Sequence, residues 1–178
     1  MNNLTYVFPR TFHYVSHFWT NKNEYNLRGG KTGFDTQETK LPSFWEICLG
    51  MRISNQTKFM SINIKASSLH SLIADGIYRP TSLGHIYWKT MIGSQASLQT
   101  NCNREGFNAA CERPDTITDV RARIGILGNG QNDCVTCDSR IGFGMQGIPD
   151  DNNTCGNAAL VGDNGQKYIK TFGYILVQ

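Results

Sequence analysis

Between residues 46 and 65 the chain alternates. Ile47, Leu49, Met51 and Ile53 stand against Cys48, Gly50 and Arg52, and Met60, Ile62 and Ile64 stand against Ser61, Asn63 and Lys65. A period of two belongs to a strand with one buried face. The intervening Ser54-Asn55-Gln56-Thr57 are turn formers, so the two strands read as a hairpin. The period returns at Val120, Ala122, Ile124 and Ile126, set against Arg121, Arg123 and Gly125. "RIGFGM" and "KYIKTFGYILVQ" read as two further strands. The last is dense in aromatic and β-branched residues, and a central place in a sheet is expected for it.

Two stretches change period. "SSLHSLIADG" places Leu69, Leu72 and Ile73 at i, i+3 and i+4, with serines to cap and Gly76 to stop, which predicts a short helix near 68–75. "TSLGHIYWKTMIG" places Leu83, Ile86, Tyr87, Thr90 and Met91 on one face and predicts a second near 82–92, weakened by Gly84. Residues 94–119 and 127–166 show no period and read mostly as loop. No repeat, charge block or Pro-rich linker divides the chain, so residues 1–178 are expected to form a single domain. The expected fold class is mostly β, β-sandwich-like, with the two short helices on one side and disulfide-tied loops.

Composition supports this reading. The chain of 178 residues is 39% hydrophobic and 17% charged, and Asn, Thr, Ser and 18 Gly fill the gap left by the low charge. That is a turn-rich composition. No run approaches 18 apolar residues, so no membrane span is expected. The N-terminus has neither the basic nor the apolar region of a secretion signal. Either a signal was removed or the protein stays inside the cell. The net charge of +3 is too weak to argue for nucleic acid, and no such partner is expected. Its distribution is uneven: residues 1–90 hold ten Lys/Arg and five Asp/Glu, whereas residues 91–178 hold seven and nine. The later acids, Asp133, Asp138, Asp150, Asp151 and Asp163, sit among asparagines in the loops.

The cysteines sharpen the picture. Cys102, Cys111, Cys134, Cys137 and Cys155 fall within 54 residues, and Cys48 makes an even six. With three Asn-X-Ser/Thr sequons at Asn3, Asn55 and Asn152, they favour an oxidising compartment and a secreted glycoprotein. Cys134-Val-Thr-Cys137 could be a redox pair, half of a zinc clamp or a disulfide anchor. A redox pair needs a helix N-terminus to lower a thiol pKa, and a glycine-spaced strand follows instead. A zinc clamp needs a second pair at related spacing, but Cys102 and Cys111 have eight residues between them and the histidines are distant. Anchoring is the remaining reading. All six cysteines are then disulfide candidates, with Cys134 and Cys137 reaching most naturally to Cys155 and to the Cys102–Cys111 segment. Fifteen connectivities exist, and spacing does not select one.

Catalysis leaves little trace. "RGGKTG" has Tyr25 where a P-loop needs glycine, and neither Gly-X-Ser-X-Gly nor His-Glu-X-X-His occurs. His13 and His17 lie four apart in an aromatic-rich, non-helical segment. Binding is therefore expected over catalysis. "PDDNNTCGN" and "GDNGQ" offer hard oxygen ligands, making Asp150, Asp151 and Asp163 candidates for calcium, though without EF-hand order. Asp133, Asp138 and Asn152 are candidate ligand contacts, with Arg140 and the loop-flanked Trp45.

"GFDTQETKLPSFW", "ICLGMRI", "SSLHSLIADGIYRPTSLG", "NCNREGFN", "CDSRIGFG" and "IKTFGYILVQ" together resemble uncharacterised extracellular modules of marine animals, including cnidarians and fishes. The resemblance covers the chain from about residue 30 to its end. It implies a secreted module and brings no assigned catalytic residue or ligand. "DDNNTCGN" is loosely similar to the Asp/Asn loop of fibrinogen-like lectin domains, but their aromatic cluster is missing. The expected function is a secreted, lectin-like module that binds a glycan or cell-surface glycoconjugate, calcium-assisted or not, in recognition, defence or adhesion. A secreted toxin or hydrolase acting on cells, and a matrix or pigment-binding protein, are the alternatives. Homo-oligomerisation is left open.

Overall fold

The computed structural model describes residues 12–23, 43–111 and 120–178. Strands β1 (Phe44–Ile53) and β2 (Gln56–Ala66) form the expected hairpin, and β9 (Phe172–Val177) pairs with the other side of β1. This gives a three-stranded sheet, order β2-β1-β9. The second sheet has six strands in sequence order: β3 (Arg79–Pro80), β4 (Asn101–Cys111), β5 (Val120–Asn129), β6 (Ser139–Gln146), β7 (Cys155–Ala159) and β8 (Lys167–Lys170). Every pairing is antiparallel. Ile47, Leu49, Met51, Met60, Ile62, Ile175 and Val177 of the small sheet share one core with Phe107, Ile124, Ile126, Ile141 and Phe143 of the large one. The protein is mostly β, as expected.

Helix α1 (Leu69–Ile73) follows its sequence signals. Ser68 and Ser71 form a reciprocal capping box, and Gly76 follows with φ 72°. Helix α2 (His85–Thr90) forms, but of its expected face only the flanking Leu83 and Met91 pack on the core. Trp88 is fully buried, whereas Ile86 is 73% exposed and Tyr87 is exposed. The cause is Glu105 on β4. Its buried carboxylate accepts from Trp88 Nε1 (2.7 Å), Gly84 N (2.9 Å), Leu83 N (3.1 Å) and Thr81 Oγ1 (2.9 Å). Gly84 has no side chain to cap the helix, and a carboxylate 21 residues away takes its amide and that of Leu83 at the entry to the helix.

"KYIKTFGYILVQ" is not one central strand. It breaks at Thr171, whose amide donates to Cys155 O at 3.0 Å, and its halves become edge strands of different sheets. Strands β4 and β7 lie within stretches that read as loop. Strand β7 is made of small residues and is buried throughout, so it offers no alternation. Strand β4 carries left-handed backbone at Cys102, Asn103 and Asn108, which breaks any period.

The expected face of β5 also divides. Val120 and Ala122 join a second cluster with Ala109, Cys111, Leu127, Cys137 and Met145, while Ile124 and Ile126 stay in the main core. The register places Asn108, Arg123 and Gly144 side by side at the division. Asn108 has φ 51° and Gly144 φ 59°. Only glycine fits at 144, where a Cβ would come within 2.7 Å of both Arg123 and Trp19. The large sheet bends at this row. Consequently Cys102 and Cys111 bring their sulfurs to 3.9 Å, although an extended strand would hold residues nine apart roughly 30 Å from each other.

Two disulfides occupy the bend, Cys102–Cys134 and Cys111–Cys137. They tie the 130–138 loop over the outer face of the sheet, as befits a chain that folds in an oxidising environment. Cys48 and Cys155 are free thiols, which corrects the expectation that all six are paired and that Cys155 is a bridging partner. The reason is distance in the fold: Cys48 lies on the small sheet, and Cys155 on β7 contacts Thr171 Oγ1 instead. The bridges span 32 and 26 residues, and each is expected to contribute roughly 3–4 kcal/mol by constraining the unfolded chain. Thermal melts with and without dithiothreitol should therefore differ by roughly 10 °C or more; a difference below about 3 °C would show that the bridges do not hold the fold.

The Asn55 sequon occupies the exposed hairpin turn. The Asn3 sequon and "RGGKTG" lie outside the described residues.

Candidate functional site

The 147–154 loop joins β6 to β7, and it is fixed from beneath. Arg140 is fully buried on β6. Its Nη2 donates to Gly147 O (2.8 Å) and Asp150 O (2.7 Å), and its Nη1 donates to Ile148 O. Burial lowers its pKa to about 10, opposed by the Asp151 and Asp150 carboxylates, so it remains a cation at neutral pH. Arg140 is thus a support for the loop and not a ligand contact. From above, Asp151 Oδ1 accepts from Gly147 N (2.6 Å) and pairs with His13 Nε2 (3.0 Å). Partial burial works against ionisation of Asp151, but the Gly147 amide, His13 and Arg140 outweigh it and hold the carboxyl below its ordinary value.

His13 reaches this loop because its own segment is anchored. Phe12 and Trp19 enter the main core, Trp19 Nε1 donates to His13 O (3.0 Å), and Arg123 Nε donates to Tyr14 O (2.8 Å). On the far side Lys170, at the end of β8, lies 3.5 Å from Asp150 Oδ2. His13, Asp151, Asn152, Thr154 and Lys170 line an open cavity of about 220 Å³. Asn152 is exposed at its rim, with its amide turned to Asp150 Oδ1 (3.2 Å). The arrangement offers a carboxylate, an ammonium, an imidazole, an amide and a hydroxyl on a backbone that is already fixed.

The remaining expected residues lie elsewhere. Asp133 closes a turn in the disulfide-tied loop, accepting from Asn129 Nδ2 (2.9 Å) and Val135 N (3.0 Å). Asp138 is half-buried beside it, its carbonyl accepting from Leu160 N (2.9 Å). Neither lines the cavity. Asp163 binds Lys89 Nζ (2.5 Å) and Leu98 N (3.1 Å) on a separate turn. Asp150 and Asp151 thus belong to one loop and Asp163 to another, and their carboxylates do not gather into one group. Each carboxylate is committed to the backbone or cation nearest its own loop. Among the described residues, one group of three metal-ligating side chains has its donor atoms within 4.8 Å of one another, Cys102, Cys111 and Cys137. Those sulfurs are held in disulfides, whereas a metal takes thiolates. Trp45 is 66% exposed, on the small sheet.

His13, Thr154 and Lys170 were not foreseen. His13 and Asp151 are 138 positions apart, and no local pattern signals such a pair.

Fold and site together define a disulfide-tied, two-sheet β protein that presents a polar pocket on a clamped loop. No protein-family model, curated protein or solved structure matches the chain.

Proposed function

We propose that the protein is a secreted carbohydrate-binding module whose sugar site is the pocket of His13, Asp151, Asn152, Thr154 and Lys170. The observation that carries this reading is the mixture of donors and acceptors on a loop immobilised by buried Arg140. A sugar hydroxyl both donates and accepts, so a carboxylate beside an ammonium and an amide suits it. A loop that is already ordered adds little entropic cost to binding. Two disulfides suit an extracellular setting. The scattered carboxylates make calcium an addition to be tested and not a requirement.

A glycan array probed with the wild-type protein, with calcium and with chelator, should give binding that Asn152→Ala and Lys170→Ala each weaken roughly tenfold, the loss of one charged or well-placed hydrogen bond. Silence under both conditions, or binding that neither substitution changes, would sink the reading.

A further inference from the structure

The outward face of the three-stranded sheet is aromatic. Phe59, Gly50 and Tyr174 share one row across the sheet, and Arg52 and Phe172 share the next but one residue along. The Phe59 ring lies across Gly50, where a Cβ would come within 2.5 Å of it, and its centroid is 6.4 Å from that of Tyr174. At the other end Trp45 and Glu46 both donate their amides to Gln178 O, at 2.8 and 3.2 Å. Two residues opposite one make a bulge. It keeps Phe44 in the core and turns Trp45 outward. A cation stands over a ring at each end: Lys65 Nζ at 4.2 Å from the Trp45 centroid and the Arg52 guanidinium at 4.8 Å from that of Phe172. Trp45, Phe59 and Phe172 are 66%, 54% and 43% exposed.

We infer that this face binds a linear anionic polysaccharide, its sugar rings stacked on Trp45, Phe59 and Tyr174 and its acidic groups on Lys65 and Arg52. From Trp45 to Arg52 the strip runs roughly 20 Å, several sugar units, across three strands about 14 Å wide. That is about 300 Å², well short of the ~800 Å² per partner that a stable protein interface needs. A narrow chain fits where a second copy of this protein does not. The C–H face of a pyranose packs on an aromatic ring, and the two cations outnumber Glu46, the acid of the same face. These residues belong to the other sheet from the loop pocket, so failure of the Asn152 and Lys170 variants leaves the assignment standing.

Dextran sulfate and uncharged dextran of equal length test it. Dextran sulfate should bind, more weakly as salt rises, and dextran far less. Trp45→Ala, Phe59→Ala and the double change Arg52→Gln/Lys65→Gln should each weaken binding roughly tenfold. Lys167→Gln, which removes one charge from the larger sheet, should not. Cys48 supplies a second readout without any variant. It lies in the row between Ser61 and Leu176 on the same face, half-buried, while Cys155 is buried, its pKa pushed up to about 12 by burial. N-ethylmaleimide should label Cys48 alone, slowly because burial and Glu46 raise its pKa, and bound dextran sulfate should slow it further. The assignment is overturned by dextran sulfate binding that the face substitutions leave intact, by no protection of Cys48, by a single-stranded oligonucleotide binding equally well at the same salt, or by a dimer in sedimentation that Trp45→Ala dissociates.

Discussion

Arg140→Met should lower the melting temperature by roughly 10 °C and free the 147–154 loop. The guanidinium is fully buried and serves three carbonyls, those of Gly147, Ile148 and Asp150. Methionine fills much of the space but donates nothing. Each unpaired buried carbonyl costs about 1–3 kcal/mol, and removing one partner of a buried charged cluster costs about 3–5 kcal/mol in all. At 2–4 °C per kcal/mol for a chain of this size, that is roughly 10 °C. Amide exchange at Gly147 and Asn153 should accelerate, because their hydrogen bonds to Asp151 Oδ1 and Asp150 O depend on the loop's shape. Sugar binding at the pocket should fall with it, although Arg140 touches no ligand. A melt within 2 °C of wild type, with unchanged exchange, would show that the loop holds itself.

Glu105→Ala is expected to have an effect of similar size by the opposite route. Here one acceptor serves four donors, and removing it leaves the Trp88 indole, the Thr81 hydroxyl and the amides of Leu83 and Gly84 without a partner. A loss of about 3–5 kcal/mol follows. Glu105→Gln keeps the shape and one acceptor oxygen but sets its NH2 against donors, so roughly half the loss is expected. Thermal melts of the two variants give the order, and near-ultraviolet circular dichroism reports Trp88 leaving its fixed setting. Equal stability of both variants with the wild type would mean that the helix is held by Trp88 packing alone.

Much of the fold was legible in the chain. The hairpin of β1 and β2 was written in its alternation, because both strands have one face on the core and one on solvent. The first helix was written in Ser68 and Gly76, whose effects reach no further than the next turn. The candidate site was read less well. Asp151 and Asn152 do line the pocket, but Arg140 proved to be buried support, Asp163 belongs to another turn, and His13 and Lys170 carried no sign of their place. Strands β4 and β7 hid in loop-like sequence because they are largely buried, and small or left-handed residues blur their period.

The sequence by itself determined that this is a mostly β protein with two short helices, the first of them capped, and a cysteine-tied loop. Those are matters of local spacing, set within a few residues by the strand period, the helical period and turn chemistry. Only the tertiary structure decided which cysteines pair, which helix face turns inward, how the large sheet bends and which side chains meet at the pocket. Each of these depends on partners 15 to 138 positions apart, such as Arg123 with Asn108 and His13 with Asp151. A buried charge or an unpaired amide finds whatever group the folded chain brings near, and nothing in the neighbouring residues records which one that will be.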